Sequence, residues 1–453
     1  MSEQDRPKRW KRWVKRALLA FLVLLIVAVV VHQVWSYRAR NALQRELDAI
    51  RAAGDPLTLE ELWPPEIDPP SENAALVYQE AFDLLKKCGF DQFHASLQEA
   101  AALADPADWS EEATATVREM LEKCSEPLEL LRQAAYMERC RFEPDRASPS
   151  PVPLEHLNDM RQVSRLLRWS ALLRLRDGDV DGALEDSRTG LLVSQVLASE
   201  PVLLPFLVRL AVVSQSLDSA ETILSEHQPG PEICRAFIQD LKTAGDSLGR
   251  DLSWAFKGER VVTRRSLQTM PVASPALRWL AGGLLPKIEL GILKQLGPLV
   301  EVAETPYPEA RAEMDRLRAE AYGLGKRKFR IGGEAMGEVL GSVLAPPMVR
   351  VKEEETKAEA RIALAQLAFA LTLYKAEHGT YPEALDVVAP DFLDQVPLDP
   401  FTARPLKYAQ DDEGFFLYSV GLNGVDDEGL TEFEQEGETI DPGTDDIAWW
   451  STR

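Results

Sequence analysis

Fifteen consecutive apolar residues, Ala17 to Val31, constrain this chain more than any other stretch. Extended through His32 and Gln33 to Trp35, the segment 17–35 makes a helix of about 28 Å, close to the roughly 30 Å hydrocarbon core of a bilayer. Seven basic residues precede it (Arg6, Lys8, Arg9, Lys11, Arg12, Lys15 and Arg16) against only Glu3 and Asp5. Trp10, Trp13, Trp35 and Tyr37 stand as aromatic anchors at its two ends. By the positive-inside rule, residues 1–16 form a basic cytoplasmic tail and everything after Tyr37 is exported. A cleaved signal peptide is the rival reading, since fifteen apolar residues also suit its hydrophobic region. Val34-Trp35-Ser36 is bulky where a peptidase needs small residues, and no Ala-x-Ala follows, which favours an uncleaved, single-pass anchor. With no cysteine near the run, a lipoprotein signal is not expected.

Charge bounds the exported part. The whole chain carries −22 although its first sixteen residues are strongly basic, so the remainder is more acidic still. A body that acidic argues against nucleic acid as a partner, because phosphate binding needs a basic footprint, and equally against a surface lying on anionic lipid. At 45% hydrophobic and 27% charged residues the exported part is globular, and its length calls for two or three domains. Cys88, Cys124, Cys140 and Cys234 would meet an oxidising compartment; pairing among the first three and buried free thiols both fit.

The expected fold is mostly α. Residues 36–72 read as a stalk or linker, with a short helix over Ala39–Ile50 and prolines at 64, 65, 69 and 70. Residues 73–350 read as an α-helical domain. Apolar residues at three-to-four spacing mark helices at 74–87, 110–122, 127–139, 154–176, 203–224 and 231–248, with a proline-rich loop at 143–153. Within Ala171–Leu197, Asp177-Gly178-Asp179 interrupts the helix and makes a hairpin. Its Ala171, Gly178, Ala183 and Gly190 resemble the small-residue positions of a tetratricopeptide unit. No second copy follows at a spacing near 34, so a plain α-hairpin competes with that reading. Residues 271–308 suggest a lid over this domain, and the glycine-rich 323–341 a linker or frayed helix; the latter lacks the GK[ST] of a phosphate loop.

Residues 351–453 read as a small α+β domain. Ala360, Ala363, Leu364, Leu367, Leu371 and Tyr374 share one helix face, stopped by Gly379. A short helix from Tyr381 to Val388 follows, then strands at 406–409 and 415–420 joined through Asp411-Asp412-Glu413-Gly414. From Ala409 to Thr452 there are thirteen carboxylates and no Lys or Arg, a density that repels itself unless it is solvated or holds a cation. The string PLDPFTARPLKYAQDDEGFFLYSVGLNGVDDEG, Pro397 to Gly429, together with TDDIAWW, Thr444 to Trp450, resembles the C-terminal domain of the major pseudopilin of type II secretion systems. That family places a DP turn, an LYS strand and an Asp-rich calcium loop after a long helix. The resemblance implies Ca2+ held by Asn423, Asp426, Asp427, Asp445 and Asp446, with Asn423 where the family usually has Asp; an acidic, solvated loop is the alternative. It spans about a fifth of the chain and has two departures. No Gly precedes the apolar run and no Glu lies within it, so the prepilin-peptidase signal is missing and polymerisation into a pseudopilus is not implied. About 300 residues also separate the anchor from the pseudopilin-like helix, whereas in the family the two are continuous. The chain as a whole resembles single-pass bacterial envelope proteins that end in such a tail.

No motif points to chemistry elsewhere. The five histidines lie singly, no G-x-S-x-G occurs, and no Cys-x-x-Cys supports zinc or thioredoxin-like reactivity. The expectation is a non-enzymatic scaffold or interaction protein of the bacterial inner membrane, its N-terminus cytoplasmic and its bulk extracytoplasmic. Its partners would be the lipid bilayer and envelope proteins, with secretion one possible setting. The alternative is a hydrolase of envelope polymers that uses carboxylates of the helical domain.

Overall fold

The computed structural model describes residues 6–451 apart from 64, 91–92, 94–105, 144–154, 270–273, 325–332, 411–413 and 431–444. Most of the loop expected at 143–153 and the hairpin tip at 411–413 fall outside the described residues.

Between Pro7 and Gly54 the chain has neither proline nor glycine, and nothing stops a helix once the apolar run has started one. Helix α1 accordingly runs unbroken from Arg6–Ala52 over 47 residues, and Gly54, at φ 81°, ends it. Its two halves differ. Every residue from Trp13 to Val31 is exposed, whereas Ser36, Ala39, Leu47 and Ile50 are buried against the body. The stalk expected at 36–72 is therefore corrected in its first part: the second half of α1 is a docked helix. Leu47 and Ile50 pack on Leu57 and Leu293. A single turn, α2 (Leu59–Leu62), capped by Thr58, seats Leu59, Leu62 and Trp63 against Val202 and Val261. Asp55 between them is held by Lys257 at 3.1 Å and Arg260 at 2.8 Å.

Four helices then close a first core: α3 (Ala74–Lys87), α4 (Glu111–Lys123), α5 (Ser125–Ala135) and α6 (Glu155–Arg176). Tyr78, Phe82, Met120, Leu131, Met160 and Trp169 meet there. A disulfide joins Cys88 to Cys124, their Cα atoms 5.8 Å apart, and Cys140 and Cys234 stay free. The expected hairpin is present: α6 ends at Gly178, φ 84°, and Asp179 caps α7 (Val180–Val196) through the Gly182 N–H at 3.0 Å.

The second core is larger and continuous. It takes in α7, α8 (Leu203–Glu226), α9 (Pro231–Thr269), α10 (Pro275–Glu304), α11 (Tyr307–Leu324) and α12 (Gly333–His378). Like α1, helix α8 is long and apolar enough to cross a membrane, but it is mostly buried inside the body. The lid expected at 271–308 is instead chiefly α10, which packs along both α12 and α1 and contains Pro286 and Pro298.

Gly379, at φ 84°, ends α12 and donates its N–H to the Lys375 carbonyl at 2.8 Å. A 3-10 turn at Leu385–Val388 stands where a short helix from Tyr381 was expected. Strands β1 (Lys407–Gln410), β2 (Phe415–Ser419) and β3 (Ile447–Trp450) form an antiparallel sheet in the order β1-β2-β3. Alternation along β2 turns Phe415, Leu417 and Ser419 inward, and Leu417 pairs across the ladder with the buried Trp449. These residues share one core with Leu364, Leu367 and Leu371 of α12. The boundary expected at 350/351 falls within α12, whose apolar residues share one core with the sheet.

Candidate functional site

The acidic loop is built on the end of β2. Asp399, from the Asp-Pro turn, is 2% exposed and accepts the N–H groups of Phe401 at 2.8 Å and Val420 at 3.1 Å, which fixes where the chain leaves the strand. Gly421 follows at φ 63°, facing the Asp445 carbonyl so closely that a Cβ would lie 2.0 Å from its oxygen. Only glycine allows that approach. The loop thereby clasps the residues that lead into β3. The Asp445 carboxylate accepts the Asn423 N–H at 3.0 Å, and Asp446 Oδ2 accepts those of Asp427 at 3.1 Å and Gly429 at 2.8 Å.

Three of the five residues expected from the sequence come together. Carboxylate oxygens of Asp427, Asp445 and Asp446 lie within 4.8 Å of one another. Two oxygens that share a calcium ion at 2.3–2.6 Å each are at most about 5 Å apart, so the cluster has the right span. Asp446 is 3% exposed and its Oδ1 has no hydrogen-bond partner among the described residues. A buried carboxylate oxygen without a donor is costly unless a proton or cation reaches it. Burial pushes the Asp446 carboxyl up to about 6; the two backbone N–H groups oppose the rise, while Asp427 and Asp426 add to it.

The other two expected residues hold the loop. Asn423 donates from Nδ2 to Asp427 at 2.9 Å and accepts the Val425 N–H at 2.5 Å, and its carbonyl accepts from Arg311 at 3.3 Å. Asp426 is turned to Lys407 Nζ, 2.6 Å away, and to the Tyr418 hydroxyl at 3.0 Å. Hydrogen bonding from Lys407 and then Tyr418 lowers its carboxyl. Lys407 and Tyr418 are opposed in the β1–β2 register, so one cross-strand pair reaches the loop. Lys407 lies two positions before the Lys/Arg-free stretch and Arg311 far outside it; only the fold shows that both face the loop.

A second polar site lies where the Asp-Pro turn meets the helices. A cavity of about 590 Å³ is lined by Arg250, Trp254, Glu304, Tyr307, Glu359 and Asp399, among others. Phe401 stacks edge-on to Tyr307 with ring centres 5.1 Å apart, which pins the turn to the start of α11. Behind the cavity, Glu355 is fully buried and pairs with Lys352 at 3.0 Å. Burial, and then the Glu355 charge, push the Glu359 carboxyl well above the ordinary carboxylate range. Glu304 moves the other way, held down by hydrogen bonding from Lys257 at 2.7 Å. The sequence spacing gave no sign of this pair, because the two glutamates sit on helices far apart in the chain.

His156 Nε2 meets Glu200 at 2.5 Å under Phe142, whose ring stacks on it. Burial pushes the free thiols of Cys140 and Cys234 up to about 12, leaving both protonated at neutral pH. No protein-family model, curated protein or solved structure matches this chain.

Proposed function

We propose that this protein is an extracytoplasmic scaffold or interaction protein, anchored in the bacterial inner membrane by the first half of α1. The observation that carries the reading is the split character of that one helix. Residues 13–31 are apolar or aromatic apart from Lys15 and Arg16 and are all exposed, while from Ser36 onward the same helix buries one face, Ser36, Ala39, Leu47 and Ile50, in the body. An exposed apolar stretch of this length has no counterpart on a soluble surface. The Cys88–Cys124 disulfide supports an oxidising compartment for the body. The Asp427–Asp445–Asp446 cluster supports a Ca2+ ion that completes the last layer, in keeping with the pseudopilin-like character of the sequence there. Secretion is the setting which that resemblance favours. The reading is tested by extracting membranes with alkaline carbonate. The full chain should stay in the pellet with residues 1–16 intact; a soluble chain beginning near Tyr37 would show a cleaved signal instead.

The cavity favours a second reading, a hydrolase of envelope polymers. Glu359, kept protonated, and Glu304, kept ionised, line one cleft with Trp254, and a pair of carboxyls with separated affinities for protons is what acid–base cleavage of a glycan requires. Loss of a measurable glycan-cleaving activity in both Glu359→Gln and Glu304→Gln would support it, and activity unchanged in both would remove it.

A further inference from the structure

Helix α10 starts against α1 at the very edge of the apolar run. His32 Nε2 lies 2.8 Å from the Trp279 carbonyl, and the two rings meet at a tilt of 40° with centres 3.8 Å apart. One turn later Gly283 is pressed against α1 so tightly that a Cβ would lie 2.3 Å from the Trp35 ring and 2.8 Å from Ser36 Oγ. Further along, Leu293 meets Leu47 and Ile50. Higher numbers on one helix meet higher numbers on the other, so the two run in parallel, both leading away from the membrane. Arg264 pairs with Glu289 and Lys257 with Glu304, so α9 runs antiparallel to α10, and among the described residues the start of α10 lies on the membrane side of the body.

The register gives the depth. His32 is the first polar residue after the run, and Trp279 sits level with it. Carried back along the two helices, Pro275 falls level with Ala28, inside the run. At 1.5 Å per residue that is about 6 Å below the level of His32, which matches the depth at which interfacial helices bury their apolar faces. Trp279 is 41% exposed, an aromatic at the level where tryptophan favours a bilayer. Cationic groups follow just outside. Arg38 and Arg40 are exposed on α1, and Lys287 Nζ sits 5.4 Å over the Trp35 ring. Such a collar meets lipid phosphates.

We infer that the start of α10 is a membrane-contact surface, with Trp279 seated in the outer interfacial layer of the bilayer that α1 spans. The inference rests on the anchored reading above. It adds that the body lies on the membrane in one fixed orientation, because Gly283 locks α10 to α1 where α1 emerges.

The test places a nitroxide at single introduced cysteines in the full chain on a Cys140→Ser background, reconstituted in phosphatidylcholine–phosphatidylglycerol nanodiscs. Collision with oxygen, which favours lipid, is compared with collision with a nickel chelate, which stays in water. Trp279→Cys reads the contact and Ser274→Cys reads it one turn deeper, so that a poorly folded variant at 279 does not decide the outcome. Leu25→Cys marks the apolar run and Val387→Cys, on the exposed 3-10 turn, marks water. The expected result is nickel accessibility at 279 and 274 lower than at 387 by about threefold or more, between the values at 25 and 387. Values at 279 and 274 equal to that at 387, with 25 still shielded, overturn this inference and leave the anchor standing. Accessibility at 25 equal to that at 387 overturns the anchor itself, and the contact with it.

Discussion

At the scale of single residues, Asp446 ties the stability of the loop to pH, and on the proposed calcium site it would tie it to that ion as well. Its carboxyl rises from an unfolded value of about 3.9 to about 6 in the folded protein. A raised carboxylate stabilises the fold fully below its unfolded value, and that contribution is lost as pH climbs through the folded value. Across a window of roughly pH 4 to 6 the loss amounts to about 3 kcal/mol. On the proposed site calcium takes the place of that proton, so a stabilising effect of calcium should grow from pH 5 to pH 7. Thermal melting in calcium, in chelator and in sodium chloride of equal ionic strength measures this. Asp446→Asn should melt higher than the parent in chelator at pH 7.5 and lose the response to calcium. A calcium shift that sodium chloride reproduces would mean a screened acidic surface and no site. The run of acids was plain in the sequence, and so was the idea that two segments meet. Which aspartates converge was not: Asp426 and Asp427 are adjacent, yet backbone geometry sends one to Lys407 and the other to the cluster.

At the scale of elements, the sequence showed helices far better than it showed their ends. Helix α1 was divided at residue 36 on chemical grounds, where apolar gives way to polar, although no residue there breaks a helix. Helix α9 was ended at 248 although no proline follows until Pro271. Its glycines look like breakers and are contacts: a Cβ on Gly258 would lie 1.5 Å from the Pro201 carbonyl oxygen. Glycine in a helix can mark close packing as well as a stop, and only the neighbour tells which. The disulfide is an element-scale tie that composition left open, because sequence does not fix which cysteines meet. It closes a loop with a sequence separation of 36 between α3 and α4. By chain entropy alone such a loop is worth roughly 4 kcal/mol. Cys88→Ser, or reduction of the parent, should lower the unfolding free energy of the first core by about that much in urea titration. A midpoint unchanged by reducing agent would indicate that the bond does not form in the purified protein.

At the scale of the whole molecule, the two cores divide the chain differently from its sequence segments. The first gathers α3 to α6, and the second joins the later helices to the sheet, so the acidic loop is carried by the same body that grips α1. Period and composition cannot reveal such sharing, since contacts between α10, α12 and the sheet link positions far apart in the chain. The two helices that pass as membrane spans by composition among the described residues illustrate the point: packing distinguishes α8, mostly buried in the body, from the exposed run of α1. The central claim is that this run holds a disulfide-bonded, acidic body outside the cytoplasm. The most direct measurement is a pair of reporter fusions after Arg453 in a bacterial host, one to alkaline phosphatase and one to a fluorescent protein that matures only in the cytoplasm. The expected result is phosphatase activity without fluorescence, with both fusions in the membrane fraction; fluorescence without phosphatase activity would place the body inside the cell and contradict the claim.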